Sequence, residues 1–147
     1  MKYTSEIGID LPVSRVVEIF DNPEYLKHWQ PGLISFEHLS GVAGRPGAKS
    51  RLKYKIGKRA IEMIETITVR NLPHEFAGTY EAKGVYNIIS NKFIPLSENR
   101  TRYITESEFR FRGFMRLVAF FMPGAFKKQS RKYLQDFKRF AEGLNRS

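Results

Sequence analysis

Apolar and polar residues alternate from the first positions of the chain: Tyr3, Ser5, Ile7 and Ile9 fall on one side, Lys2, Thr4, Glu6 and Gly8 on the other. A repeat of two is the period of a half-buried strand, and Leu11-Pro12 ends it. The period then changes. In PVSRVVEIFD, Val13, Val16, Val17 and Phe20 are spaced for one face of a helix whose first turn suits Pro12, and Asn22-Pro23 breaks it before a second short helix over residues 24 to 28. From residue 33 to residue 111 there follow the strand-like runs LISFEHLS, KSRLKYKI, AIEMIETITVR, EFAGTYEA, VYNIISNKFI and RTRYITESEFRF. The segments between them, GVAGRPGA, GKR, NLPH, KG and PLSEN, are short enough to favour antiparallel neighbours. Helical spacing returns at the end, where Tyr133, Leu134, Phe137, Phe140, Ala141 and Leu144 form one stripe and Lys127, Lys128, Arg131, Lys132, Lys138 and Arg139 lie mostly off it. Pro123-Gly124 kinks or starts this helix.

The predicted order is strand, two short helices, six strands and one long helix, with no repeat and no low-complexity linker. This is an α+β pattern: a seven-stranded, curved antiparallel sheet must cover its concave face with the apolar stripe of the long helix, because both surfaces need a partner. The strands carry Tyr54, Phe76, Tyr80, Tyr86, Phe93, Tyr103, Phe109 and Phe111. Aromatics in such numbers either hold the helix off the sheet and leave an internal cavity, or fill the space themselves.

Composition narrows the chemistry. The 147 residues suit a single domain over 1–147. With no Cys there is no disulfide, no thiolate and no sulfur-ligated zinc. His28, His38 and His74 are scattered outside any metal-ligand spacing, so neither a metal nor another cofactor is expected. The first residues do not resemble a secretory signal, and the longest apolar run, residues 117 to 122, is far short of the roughly 20 residues of a spanning helix. A soluble cytoplasmic protein is the expectation. The net charge of +10 is concentrated in residues 110 to 147, where ten Lys/Arg face Asp136 and Glu142. That segment reads as a solvated helix face or as a surface for an anionic partner.

Two strings carry a family resemblance. IGIDLPVSRVVEIFDNPEYLKHWQPGLISFEHLSG, with its strand, proline-led helix and Trp-Gln-Pro-Gly helix end, and ENRTRYITESEF, with its Thr-led last strand, resemble the START-like, helix-grip superfamily known as SRPBCC. That superfamily includes polyketide cyclase/dehydrase-like proteins and the birch-pollen allergen family. The resemblance spans essentially the whole chain, and it implies a pocket between sheet and C-terminal helix that opens near the two short helices and takes lipids, polyketides or similar molecules. The chain departs from the allergen branch at GVAGRPGAK, which reads as an ordinary hairpin loop and not a phosphate cradle, since no helix follows it.

The residues expected to line such a pocket come from several elements. The short-helix region and second strand offer Phe20, Trp29 and Phe36, and the middle strands Tyr54, Met63, Glu65, Phe76, Tyr80 and Tyr86. The last strand adds Tyr103, Thr105 and Phe109, and the approach to the long helix adds Phe121 and Phe126. On the sixth strand Tyr86 and Ile88 are expected to point inward in preference to Asn87, and on the seventh Thr105 and Ser107 inward with Glu106 and Glu108 ion-paired outside. Trp29, the one tryptophan, either plugs the joint between short helices and sheet or lines the pocket mouth.

Glu65 is the one weak candidate for catalysis. It shares an alternating face with Ile61, Met63, Ile67 and Val69, so an inward orientation takes a carboxylate into an apolar space and raises its pKa. Twist, a bulge or an arginine partner would remove that role. No nucleophile stands beside an evident base, and the sequence makes no positive case for an enzyme. The leading reading is a binding or transport protein for a small hydrophobic or amphipathic ligand. A cyclase or dehydratase using the pocket carboxylate is the alternative, and docking on an anionic membrane through the basic C-terminal helix and RLVAFFMPGAF a further one. Nucleic acid is disfavoured because Tyr133, Phe137 and Phe140 lie on the stripe the sheet should cover. Oligomeric state is left open.

Overall fold

A computed structural model describes residues 1–146 of the chain. Strand β1 (Lys2–Ile9) leads into α1 (Val13–Phe20), a single 3-10 turn (Pro23–Tyr25) and α2 (Leu26–Trp29). Strands β2 (Leu33–Ser40), β3 (Lys49–Ile56), β4 (Arg59–Asn71), β5 (Glu75–Ala82), β6 (Val85–Ser97) and β7 (Arg100–Phe111) follow, then α3 (Phe114–Phe121) and α4 (Pro123–Arg146). The strands form one antiparallel sheet in the order β1-β7-β6-β5-β4-β3-β2, a meander whose last strand is joined on its free side by the first. The expected strands are all present. Of the two roles open to Pro123-Gly124, the structure has Pro123 starting α4; what differs at the helical end is a separate helix, α3, that precedes it.

Local chemistry sets the boundaries. Pro12 O accepts the first turn of α1 from Val16 N at 3.0 Å, and α1 buries Val16 and Ile19. Asn22 Oδ1 accepts from Glu24 N at 3.0 Å, capping the 3-10 turn. Gly32, at φ +89°, makes the turn into β2 where an added Cβ would lie 2.6 Å from Lys55 O. The Arg70 guanidinium binds both oxygens of Asp21 at 2.8 and 2.6 Å, tying the end of α1 to β4.

The core lies between α1, α2, α4 and the β1-β7-β6 side of the sheet. It contains Ile9, Leu11, Val16, Ile19, Trp29, Phe93, Tyr103, Leu134, Phe137 and Ala141. Leu134, Phe137 and Ala141 are the predicted stripe of α4. The C-terminal half of that helix is also pinned to β1 by polar contacts. Lys138 Nζ donates to Gly8 O at 2.7 Å and to Glu142 Oε2 at 2.6 Å, and Glu142 Oε2 accepts from Asp10 N at 2.8 Å.

Candidate ligand site

Register determines which side chains face α4. Tyr54 pairs with Ile61, Leu52 with Met63 and Ser50 with Glu65 across β3-β4, and Glu65 pairs with Tyr80 across β4-β5. Paired residues share a face, and Leu52, Tyr54 and Ile67 are buried, so Glu65 points inward as the alternation predicts. The pairing continues from Tyr80 to Asn87 and from Asn87 to Phe109, and from Phe76 through Asn91 to Thr105.

The inward face divides into three regions. At one end Phe20 is the hub of a packed aromatic cluster, with ring centroids 6.0 Å from Trp29, 5.6 Å from Phe76, 4.9 Å from Phe93, 5.9 Å from Tyr103 and 6.1 Å from Phe137. Of the four residues here that were expected to line a pocket, Trp29 and Tyr103 are buried in the cluster, and Phe20 and Phe76 are half-buried against it. Trp29 faces this core and not the mouth, and its buried indole N–H has no hydrogen-bond partner among the described residues. At the other end Phe109, Phe111 and Phe126 form a second cluster, with Phe126 5.0 Å from each of the other two.

Between the clusters lies a polar patch in apolar surroundings. The Tyr80 hydroxyl donates to Glu65 Oε2 at 2.7 Å, and the Tyr54 hydroxyl donates to Gln30 Oε1. Ile61, Met63, Glu65, Tyr80 and Ile89 all face α4 yet are only partly buried, as is Tyr133 from the helix. Enclosure by protein pushes the Glu65 carboxyl above its ordinary pKa, with the Tyr80 hydrogen bond opposing. The same enclosure raises the Tyr80 phenol well above its usual value, reinforced by the Glu65 charge. Tyr54 is raised by burial, then by Tyr133 and Glu65. These groups therefore share one neighbourhood: deep enough to be desolvated, open enough to keep accessible surface.

The central inward positions of β3 to β7 hold no lysine or arginine apart from Arg70, which Asp21 occupies. No ion pair engages Glu65 among the described residues. The patch can accept from a hydroxyl or amine when Glu65 is ionised and can donate to a carbonyl when it is protonated. A carboxylate or phosphate would meet like charge there.

Flanking polar groups are satisfied internally. Tyr103 OH donates to Asn91 Oδ1 at 2.8 Å, and Asn87 Nδ2 donates to Ser107 Oγ at 3.1 Å and to Glu108 O at 3.0 Å. Thr105 and Ser107 are buried and point inward, and Glu106 and Glu108 pair outside with Lys92, Lys2 and Arg110, as expected.

Three expectations are corrected. Tyr86 and Ile88 lie on the convex face, Tyr86 under the Arg110 guanidinium at 5.9 Å; register turns Asn87 inward because its amide finds partners there. Phe121 is exposed, since Met115, Val118 and Ala119 occupy the inner side of α3. Phe36 shares the Leu52 face but stays exposed at the sheet edge, lining with Leu33, Tyr25 and His28 an open cleft of about 540 Å³ outside the α2-β2 seam. A second cleft, about 390 Å³, lies over Lys2, Ile88 and Glu106, and Glu65, Tyr80 and Tyr54 line neither. His28 stacks on Phe140 at 5.2 Å. Gln30 and Tyr133 belong to the polar patch but were not singled out from sequence; Tyr133 showed only as one member of the helix stripe.

No sequence-family model matches the chain, and no curated protein matches it. Solved structures do. The Zhui aromatase/cyclase from Streptomyces sp. R1128 superposes with a TM-score of 0.82 at 13% identity, over 97% of this chain and 93% of that one. A START superfamily protein from Mycobacterium smegmatis gives 0.79 at 12% identity, over 97% and 98%. The chain has the helix-grip fold. Norcoclaurine synthase from Thalictrum flavum, solved with dopamine and hydroxybenzaldehyde, shares this helix-grip architecture with a TM-score of 0.72 at 13% identity, over 95% and 85%. At such identities the likeness is one of architecture, and the helix-grip fold carries no residue roles with it.

Proposed function

We propose that the protein binds a small hydrophobic or amphipathic molecule on the concave face of the sheet, with the polar end of that molecule at Glu65, Tyr80 and Tyr54. One observation carries this reading: the Glu65 carboxyl, on the inward face between Met63 and Ile67 and with no ion-pair partner among the described residues, remains partly accessible between the two aromatic clusters. A group placed so is costly to a fold unless something is recognised by it. The ligand end is a hydroxyl, carbonyl or amine, and the remainder is apolar. Mass spectrometry of a solvent extract of the purified protein, with Nile red as a neutral probe, tests the proposal. The expectation is probe binding that Glu65→Leu weakens about fivefold, the loss of one hydrogen bond donated by the protonated carboxyl to the carbonyl of Nile red, which has no donor of its own. No co-purified apolar species and no probe uptake by the unaltered chain would sink it.

The raised Glu65 pKa favours a second reading, proton transfer on a bound polyketide-like substrate in the manner of a cyclase. A Glu65 titration by NMR at the ordinary carboxyl value, with a ligand still bound, would leave binding without catalysis.

A further inference from the structure

Helix α3 turns its apolar side chains away from the protein. Ala119 is buried and Met115 and Val118 face the fold, with Met115 against Gly84, whereas Phe114 is 75%, Leu117 55%, Phe120 77%, Phe121 75% and Met122 57% exposed. A helix on a water-facing surface shows the opposite pattern, and a cluster of large apolar residues differs in kind from the single exposed ones that any surface carries. This cluster has a cationic frame. Arg112, Arg116, Lys127, Lys128 and Arg131 have no ion-pair partner among the described residues, while farther along α4 Lys132, Lys138 and Arg139 are paired with Asp136 or Glu142.

We infer that this face docks on an anionic lipid bilayer, with α3 at headgroup level, Phe114, Leu117, Phe120 and Phe121 in the acyl boundary, and the five cations against lipid phosphates. An apolar helix framed by unpaired Lys and Arg is the arrangement that such an interface binds. Charge selects the occupant. A second copy seated on the same face would oppose five unpaired cations with five more, on chains that each carry a net charge of +10. A nucleic acid would answer the cations but leave Leu117 and Met122 in water. Docking requires no molecule in the concave site, so it is independent of ligand binding.

Flotation with phosphatidylcholine vesicles, with and without phosphatidylglycerol, tests the assignment. Binding is expected on the anionic vesicles and should weaken as salt shortens the screening length. Lys127→Gln with Lys128→Gln should lower it about 25-fold, roughly fivefold for each cation near the surface. Phe120→Glu with Phe121→Glu should remove it while leaving Tm unchanged, because both rings are in water. Phe120→Trp should shift its emission to the blue on anionic vesicles, against a constant background from buried Trp29. Equal uptake on neutral vesicles, no uptake at all, or uptake indifferent to the Phe120 and Phe121 changes overturns the inference. So does a dimer in sedimentation velocity that the same double change dissolves, since that gives the face to a second copy.

Discussion

Glu65 experiences two opposed influences. Enclosure disfavours its charge, the hydroxyl of Tyr80 favours it, and enclosure prevails. A carboxyl with a raised folded-state pKa binds its proton more tightly in the native protein than in the unfolded chain, so ionisation opposes folding. That opposition is absent below the ordinary glutamate value of 4.5, grows as pH rises through the raised value, and is constant beyond it. Glu65→Gln keeps an acceptor for Tyr80 and removes the charge. The variant should therefore melt higher than the unaltered protein at neutral pH, with the difference shrinking to nothing in acid; calorimetry across pH measures it. A constant difference at every pH would mean that packing, and not charge, separates the two proteins.

At the scale of elements, the strand periodicities were legible because one face of each strand is apolar enough to mark it. Glu65 could be placed inward from Ile61, Met63 and Ile67, and Thr105 and Ser107 from Tyr103 and Phe109. Strand β6 defeated the same logic. Tyr86 and Ile88 look like core residues beside Asn87, but the Asn87 amide bonds Ser107 and the Glu108 carbonyl across the β6-β7 ladder, and only pairing reveals those partners. Gln30 and Tyr133 come to the polar patch from a helix end and from α4, 103 positions apart by their numbering, which no local pattern encodes. Helix α3 was hidden for a different reason: an apolar run announces itself in sequence, but whether it faces the protein does not. Where the stripe was clear, packing followed. Phe137 on α4 is fully buried against Trp29, Tyr103 and Phe20, so Phe137→Ala should cost about 3–5 kcal/mol in urea unfolding. A loss below about 1 kcal/mol would show that α4 is held by something other than this cluster.

For the molecule as a whole, charge and apolar surface are distributed to different ends. The acidic groups of α4, Asp136 and Glu142, pair with Lys132, Lys138 and Arg139, while the cations around α3 have no ion-pair partner among the described residues and stand beside exposed aromatics. A bound ligand would stabilise the whole chain by mass action, about 2.7 kcal/mol at a hundredfold excess over Kd, and a rise in Tm with Nile red concentration would register it. The uneven anchoring of α4 has its own consequence. Lys138 and Glu142 tie the far half of the helix to the end of β1 and Phe137 packs on Trp29, Tyr103 and Phe20, whereas the ring contacts of its first turns among the described residues are those of Phe126 with Phe109 and Phe111. The helix is a lever fixed at one end. Amide hydrogen exchange along α4 should run as a gradient, fast before residue 130 and slow after it, so that the interior exchanges with its surroundings from the same end that carries the exposed phenylalanines.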